Sequence, residues 1–165
     1  MKPALLVIDV QKRFLGIKPV MTESINDAIR FINMAIELFR EHNLPVISIQ
    51  HVNEESGLVP GEEDFELPDS LNILPSDLHI HKTYGNSFTK TALVDELHKQ
   101  DVDTVIVTGF CAEHCVLSTY RGAQDHDLMP ILLRGAMASD NMKNIRFVES
   151  ISEIISFRAL KKALE

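Results

Sequence analysis

Short apolar runs of strand length alternate with longer helical patterns along this chain, and that alternation constrains its fold more than any other feature. The runs are rich in Val, Ile and Leu, as expected for strands that are buried on both faces. They lie at residues 4–9, 45–50, 78–81, 104–109, 130–133 and 153–156. Strands that alternate with helices are typical of βαβ units, so the pattern predicts a parallel sheet with helices packed on both faces.

The clearest predicted helix spans residues 23–41, where apolar side chains recur every three or four positions and Thr22 or Ser24 can cap the first turn. Further helices are predicted at residues 89–99, 113–124, 141–150 and 158–164. We therefore expect one α/β domain over residues 1–165. It should be a Rossmann-like, three-layer α/β/α structure whose six parallel strands are wound in the order 3-2-1-4-5-6.

The composition of the chain indicates which kinds of molecule it can bind. The chain has 24 acidic and 16 basic residues and a net charge of −8, which disfavours nucleic acid and anionic membranes as partners. Its apolar runs are far shorter than a membrane span, and its start does not resemble a signal peptide. Two Cys four positions apart cannot form a disulfide framework, so we expect a cytoplasmic protein that acts on a small molecule.

One segment, residues 51–76, breaks every periodicity with three Pro, two Gly and an acidic cluster. It is long for a passive connection, so it could cover a site or a subunit contact. A solvated acidic loop is the alternative.

Three residues of complementary chemistry follow predicted strands. Asp9 ends the first, Lys82 follows the third, and Cys115 follows the fourth in the first turn of a predicted helix. Ligands bind beyond the carboxyl ends of parallel strands, so these side chains are expected to converge. The helix dipole at Cys115 favours a thiolate. A buried, inert thiol and a salt-bridged carboxylate are the alternatives.

The segments that carry these residues resemble the isochorismatase-like cysteine hydrolases. Residues 9–14 (DVQKRF) are similar to the D-x-Q-x-x-F opening of that family, residues 82–88 (KTYGNSF) to its K…S-A-F segment, and residues 109–119 (GFCAEHCVLST) to its G…C-V-x-x-T segment. The three matches occur in the family's order and span most of the chain. The resemblance also implies a three-layer α/β/α fold.

By position, the resemblance implies that Asp9 is the general base, Lys82 its electrostatic partner and Cys115 the nucleophile. It further implies a cis peptide between Phe110 and Cys111, with the backbone amides of Cys111 and Cys115 forming an oxyanion hole. It implies no cofactor, and a homo-oligomer such as a dimer or tetramer.

Departures from the family pattern narrow the expected reaction. Members that hydrolyse isochorismate lack the nucleophilic Cys. This chain has it, which favours cleavage of an amide, carbamoyl or ureido C–N bond through a thioester. Nicotinamidases in the family carry an Asp-x-His metal motif, and Gln50, His51 and Val52 stand in that place here. We therefore expect no metal. Ala112 replaces a Thr that is common in relatives.

Several residues near the three segments are candidates for contacts with substrate. They are Gln11, Phe14, His51, Tyr84, Phe88, Phe110 and Ala112. His79 and His81 share one face of a strand, but the sequence supplies no third metal ligand nearby.

Two other functions remain open from the sequence. The same fold could be a catalytically silent binding or scaffold protein. Cys111 and Cys115 could instead form a redox pair, although their spacing is not C-x-x-C and a disulfide would require close approach.

Overall fold

The computed structural model describes residues 1–165 and centres on a six-stranded, all-parallel sheet. The strands lie in the order β3-β2-β1-β4-β5-β6, which confirms the predicted winding. They are β1 (Pro3–Ile8), β2 (Val46–His51), β3 (Leu78–Lys82), β4 (Thr104–Phe110), β5 (Met129–Ala138) and β6 (Ile154–Ile155). Because the winding direction reverses between β1 and β4, the carboxyl ends of these two strands open onto the expected ligand-binding edge.

Six helices connect the strands. They are α1 (Lys12–Leu15), α2 (Pro19–Glu41), α3 (Leu93–Lys99), α4 (Leu117–Asp125), α5 (Met142–Ser150) and α6 (Phe157–Leu164). The predicted helices are all present, and α1 is a short addition. No helix of the structure is both long and apolar enough to cross a membrane.

Two apolar clusters separate the three layers. One lies between the sheet and helices α2 and α6, and includes Leu5, Ile32 and Phe39. The other lies on the opposite face, where Leu6 packs with Leu97 and other residues of α3, α4 and α5. Successive residues of β1 enter opposite clusters because side chains alternate along a strand, which explains the uninterrupted apolar run.

The structure differs from the sequence-based expectation at some element boundaries. Strand β5 continues to Ala138 instead of ending at residue 133, with a register shift relative to β4 between Val107 and Gly109. Helix α3 begins only at Leu93, and the residues before it form turns. The predicted helix after β4 opens with a π-helical turn, Ala112–Val116.

The segment 51–76 packs against the domain. Its Phe65 and Leu71 are buried, and the Phe65 carbonyl accepts hydrogen bonds from the side chains of Gln11 and Gln50 at 3.1 and 3.0 Å. These bonds fasten the segment to the ends of β1 and β2. Of the two alternatives for this segment, the solvated loop describes the acidic cluster, which is exposed, but not Phe65 and Leu71, which are covered.

Candidate active site

Asp9, Lys82 and Cys115 meet at the carboxyl edge of the sheet. Asp9 directly follows β1, Lys82 is the last residue of β3, and Cys115 lies in the turn after β4. The long Lys82 side chain crosses the end of β2 and places its Nζ 2.8 Å from Asp9 Oδ2. Residues separated by 73 positions in sequence thereby form one buried ion pair.

Close contact between β1 and β4 brings the turn that carries Cys115 (Ala112–Val116, the Cys turn) to Asp9. Gly109 pairs with Ile8 and has a φ of +116°, a conformation that strongly favours glycine. A Cβ at Gly109 would overlap the backbone of Ile8. Asp9 itself has a φ of 52°, in the left-handed region that Asp tolerates better than most residues.

The Asp9–Lys82 pair is almost fully excluded from solvent, with side chains 3% and 0% exposed. Burial raises the pKa of Asp9 above its ordinary value, although the charge and hydrogen bond of Lys82 act in the opposite direction. Asp9 Oδ1 has no hydrogen-bond partner. The neighbouring Cys115 thiol interacts with this carboxylate, so Asp9 has an acceptor atom available for the sulfur's proton.

The Cys115 sulfur is a thiol at neutral pH. Burial, followed by the negative charge of Asp9, raises its pKa to about 12, and Lys82 lowers the pKa by less. Burial and the charge of Asp9 therefore act against the thiolate that the helix terminus favours. Cys115 lies near the end of the π-helical turn Ala112–Val116, close to a carboxylate. A base is needed to activate this sulfur.

His51, a candidate for substrate contact, also adjoins the ion pair. Its Nδ1 lies 3.2 Å from Lys82 Nζ, and because an ammonium can only donate, Nδ1 accepts. Burial and the positive charge of Lys82 lower the pKa of His51. The neutral ring therefore carries its proton on Nε2.

The peptide between Phe110 and Cys111 is cis, as the resemblance implies. The Cys111 N–H donates no hydrogen bond within the chain, so it remains available to a ligand. The Cys111 thiol, in contrast, lies 2.9 Å from Glu113 Oε2, to which it donates. Burial and Glu113 raise the pKa of this thiol to about 12. Cys111 therefore differs from Cys115 in its partner, since its proton is directed to Glu113 and not to Asp9.

A cavity of about 350 Å³ opens at this edge. Its lining includes six residues singled out from the sequence: Asp9, Phe14, His51, Phe110, Cys111 and Cys115. Four further lining residues were not singled out: Met21, Glu113, His114 and Asp140. Lys82 is buried and does not line the cavity itself, but its ammonium contacts the lining residues Asp9 and His51 and acts on Cys115.

Four of the candidate substrate contacts lie outside the cavity. Ala112 is fully buried, and Phe88 is buried against the ring of His126. Tyr84 is exposed and accepts a hydrogen bond from Lys90. These side chains do not line the cavity, because proximity in sequence to Lys82 or Cys115 does not determine which way a side chain points.

Gln11 is the fourth candidate that lies outside the cavity. It is fully buried, and its amide group donates to the carbonyls of His51 and Phe65 and accepts from the His51 N–H at 2.8 Å. Gln11 therefore holds the start and middle of the 51–76 segment in place rather than contacting a ligand.

We expect Gln11→Ala to destabilise the protein by about 2 kcal/mol, because three hydrogen bonds are lost and buried backbone groups are left without partners. Urea unfolding measures the change. Gln100→Ala is the matched control, since Gln100 is an exposed residue beyond the end of α3. Equal stability of the two variants would contradict the role of Gln11.

Three of the four lining residues that the sequence did not predict lie next to features that it did predict. Glu113 and His114 lie inside the Cys turn itself, and Asp140 comes two residues after β5. Had β5 been extended to Ala138, the rule that located Asp9 would also have located Asp140. His79 contacts the Leu74 carbonyl and His81 packs against Phe65, and neither lines the cavity.

Comparison with known proteins identifies a family for the chain. The isochorismatase domain model matches residues 3–148. An uncharacterized isochorismatase family protein of Bacillus subtilis (strain 168), YrdC, is 31% identical over 145 residues, covering 87% of this chain and 77% of the relative. The ureidoacrylate amidohydrolase RutB of Caulobacter vibrioides is 34% identical over only 64 residues, covering 39% of this chain and 28% of that enzyme.

Solved structures share the fold. An isochorismatase-like hydrolase from Alkaliphilus metalliredigens superimposes with a TM-score of 0.90 and 23% identity, and the match covers 100% of both chains. N-carbamoylsarcosine amidase from Thermoplasma acidophilum gives a TM-score of 0.82 at 23% identity, over 94% of this chain and 96% of that one. With the match over residues 3–148, these findings show that the chain belongs to the isochorismatase-like hydrolase family.

Proposed function

We propose that this protein is a cysteine hydrolase that cleaves the C–N bond of a small amide, carbamoyl or ureido compound through a thioester. The observation that carries the proposal is the meeting of Asp9, Lys82 and Cys115 at one wall of the cavity. A base, a buried cation and a thiol in mutual contact are the groups that nucleophilic acyl transfer requires.

In the first half of the reaction, Asp9 takes the proton of the Cys115 thiol as the sulfur attacks the carbonyl carbon. An S–C bond forms, and the electron pair of the C=O bond moves to oxygen. We assign the backbone amides of Cys111 and Cys115 as donors to this oxyanion. A donor of this kind contributes about 3–4 kcal/mol to transition-state stabilisation in comparable sites.

In the second half, the oxyanion collapses, the C–N bond breaks, and Asp9 returns its proton to the departing nitrogen. Water, deprotonated by the same carboxylate, then attacks the thioester and releases the acid and the Cys115 thiol. Lys82 keeps the charge of Asp9 compensated throughout, and the mechanism uses no cofactor. The amidohydrolase and amidase among the relatives support C–N chemistry for this site.

An ammonia-release screen over small primary amides and ureas tests the proposal. The wild-type protein should release ammonia from at least one compound class, and the Cys115→Ala protein from none. Release by both proteins would indicate a contaminant. No release, together with an unreactive Cys115, would favour a catalytically silent binding protein.

Alkylation of Cys115 by iodoacetamide should accelerate about tenfold per pH unit between pH 7 and 9, because its thiol pKa of about 12 lies well above that range. Mass spectrometry resolves Cys115 from Cys111. A rate that reaches a plateau below pH 8 would instead indicate a thiolate. Catalysis should be lost on acidification through the raised pKa of Asp9, since protonation removes the base.

A further inference from the structure

Two of the carboxylates that line the cavity have a lysine partner, and the third has none. Asp9 is paired with Lys82 at 2.8 Å, and Asp140 at the mouth is paired with Lys18 at 2.7 Å. No Lys or Arg lines the cavity. Glu113 is the remaining carboxylate of the lining, and no salt bridge reaches it.

The Glu113 carboxylate is held in a fixed orientation by neutral donors. Its Oε1 accepts from Ser139 Oγ at 3.0 Å and from Asn144 Nδ2 at 2.6 Å, and its Oε2 accepts from the Cys111 thiol at 2.9 Å. Burial alone would raise the pKa of Glu113, but these hydrogen bonds bring it below its ordinary value. The group is therefore ionised at neutral pH.

These three donors keep the negatively charged carboxylate of Glu113 in one orientation beside the cavity that it lines. Glu113 thus contributes negative charge to the cavity, and the lining residues provide no lysine or arginine to receive an anion. A ligand that carries a carboxylate would be repelled by Glu113.

We propose that Glu113 is a specificity-determining residue, and that the cavity takes amides or ureas whose other end is neutral or positively charged and rejects those that end in a carboxylate. This inference rests on the proposed function for its substrate class. The charge preference itself is a property of the cavity and can be measured without turnover.

The test compares thiol-modifying reagents that differ in charge. Trimethylammonioethyl and sulfonatoethyl methanethiosulfonate each form a disulfide with Cys115 as their S–SO₂ bond breaks and methanesulfinate leaves. Rates are measured by site-resolved mass spectrometry at pH 8 in 0.15 M salt, where charges beyond about 8 Å are largely screened. Each rate is divided by that of the same reagent with free cysteine.

We expect the cationic reagent to modify Cys115 at least about tenfold faster than the anionic reagent, and Glu113→Gln to lower this ratio at least about threefold. Glu41→Gln, which removes a surface carboxylate at the end of α2, should leave the ratio unchanged. A wild-type ratio near one overturns the proposal, and so does a ratio that Glu113→Gln leaves unchanged. If Glu113→Gln fails to fold, Glu113→Ala is measured in its place, and an unchanged ratio in that variant overturns the proposal.

A matched set of ureas provides the substrate arm. 1-(3-Aminopropyl)urea, 1-(3-hydroxypropyl)urea and 3-ureidopropionate differ in the charge of one end, and the wild-type protein should release ammonia from the first two in preference to the third. Faster turnover of the acid overturns the inference. If no urea is turned over but the modification ratio holds, the charge preference stands and the hydrolase proposal loses support.

Discussion

Replacing Cys115 with alanine should lower turnover by at least about 10⁴-fold while leaving the fold intact. The loss is large because Cys115 is the thiol beside the base Asp9, whereas the Cys111 thiol donates to Glu113. Removal of a nucleophile in comparable triads has effects of this size or larger. The fold should persist because a half-buried sulfur contributes little to packing, so the melting temperature should stay within about 4 °C of wild type. Ammonia release and thermal unfolding measure the two effects.

Cys111→Ala is the matched control for this experiment. It removes the second thiol of the same cavity but keeps the backbone N–H that we assign to the oxyanion hole. Turnover should fall by no more than about tenfold, because only the hydrogen bond to Glu113 is lost. Residual turnover by Cys115→Ala, or an equal loss in Cys111→Ala, would contradict the assignment of the nucleophile.

Lys82→Ala should destabilise the protein by about 3–5 kcal/mol, because it leaves the Asp9 carboxylate buried without a counter-charge. Asp9→Asn should have a similar effect by leaving the ammonium unpaired. The double variant Asp9→Asn/Lys82→Met removes both charges and should recover most of the lost stability, yet it should remain inactive because the base is absent. Urea unfolding and ammonia release distinguish these outcomes.

The Arg13–Asp64 pair provides the surface control for this cycle. Its atoms are also close, at 2.7 Å, but its side chains are 32% and 53% exposed, so Asp64→Ala should cost no more than about 1 kcal/mol. If Lys82→Ala costs as little as Asp64→Ala, the ion pair does not have the buried character on which the proposed mechanism depends. If the double variant is as unstable as either single variant, the loss comes from packing.

Much of the fold follows from local pattern. The apolar run of β1 and the periodicity of α2 predict a strand buried on both faces and an amphipathic helix, and both lie within a few residues of their expected bounds. Element ends were harder to predict. The extension of β5 through Gly135 to Ala138 follows pairing with β4 beyond a register shift, which no periodicity within residues 130–138 indicates.

In the candidate site, too, local pattern predicts some residues and tertiary contacts determine the others. Asp9, Lys82 and Cys115 could be found from the sequence, since each lies at or after the end of a predicted strand and parallel strands align their carboxyl ends. The position of Gln11 in the same segment as Asp9 predicts a contact with substrate. Its side chain instead points to the backbone of the 51–76 segment. Glu113 was overlooked because its partners, Ser139 and Asn144, come from 26 and 31 residues further along the chain.

The order of elements, the parallel sheet and the edge at which the reactive residues emerge follow from the amino-acid sequence, because they depend on side-chain period and on chain connectivity. The protonation and pairing of those residues depend on the folded structure. Whether Cys115 is a thiol, whether Asp9 has a counter-charge, and which carboxylate of the cavity lacks one depend on burial and on contacts between residues far apart in the chain. Desolvation and Coulomb interactions vary with distance in space, and the sequence specifies that distance only through the completed fold.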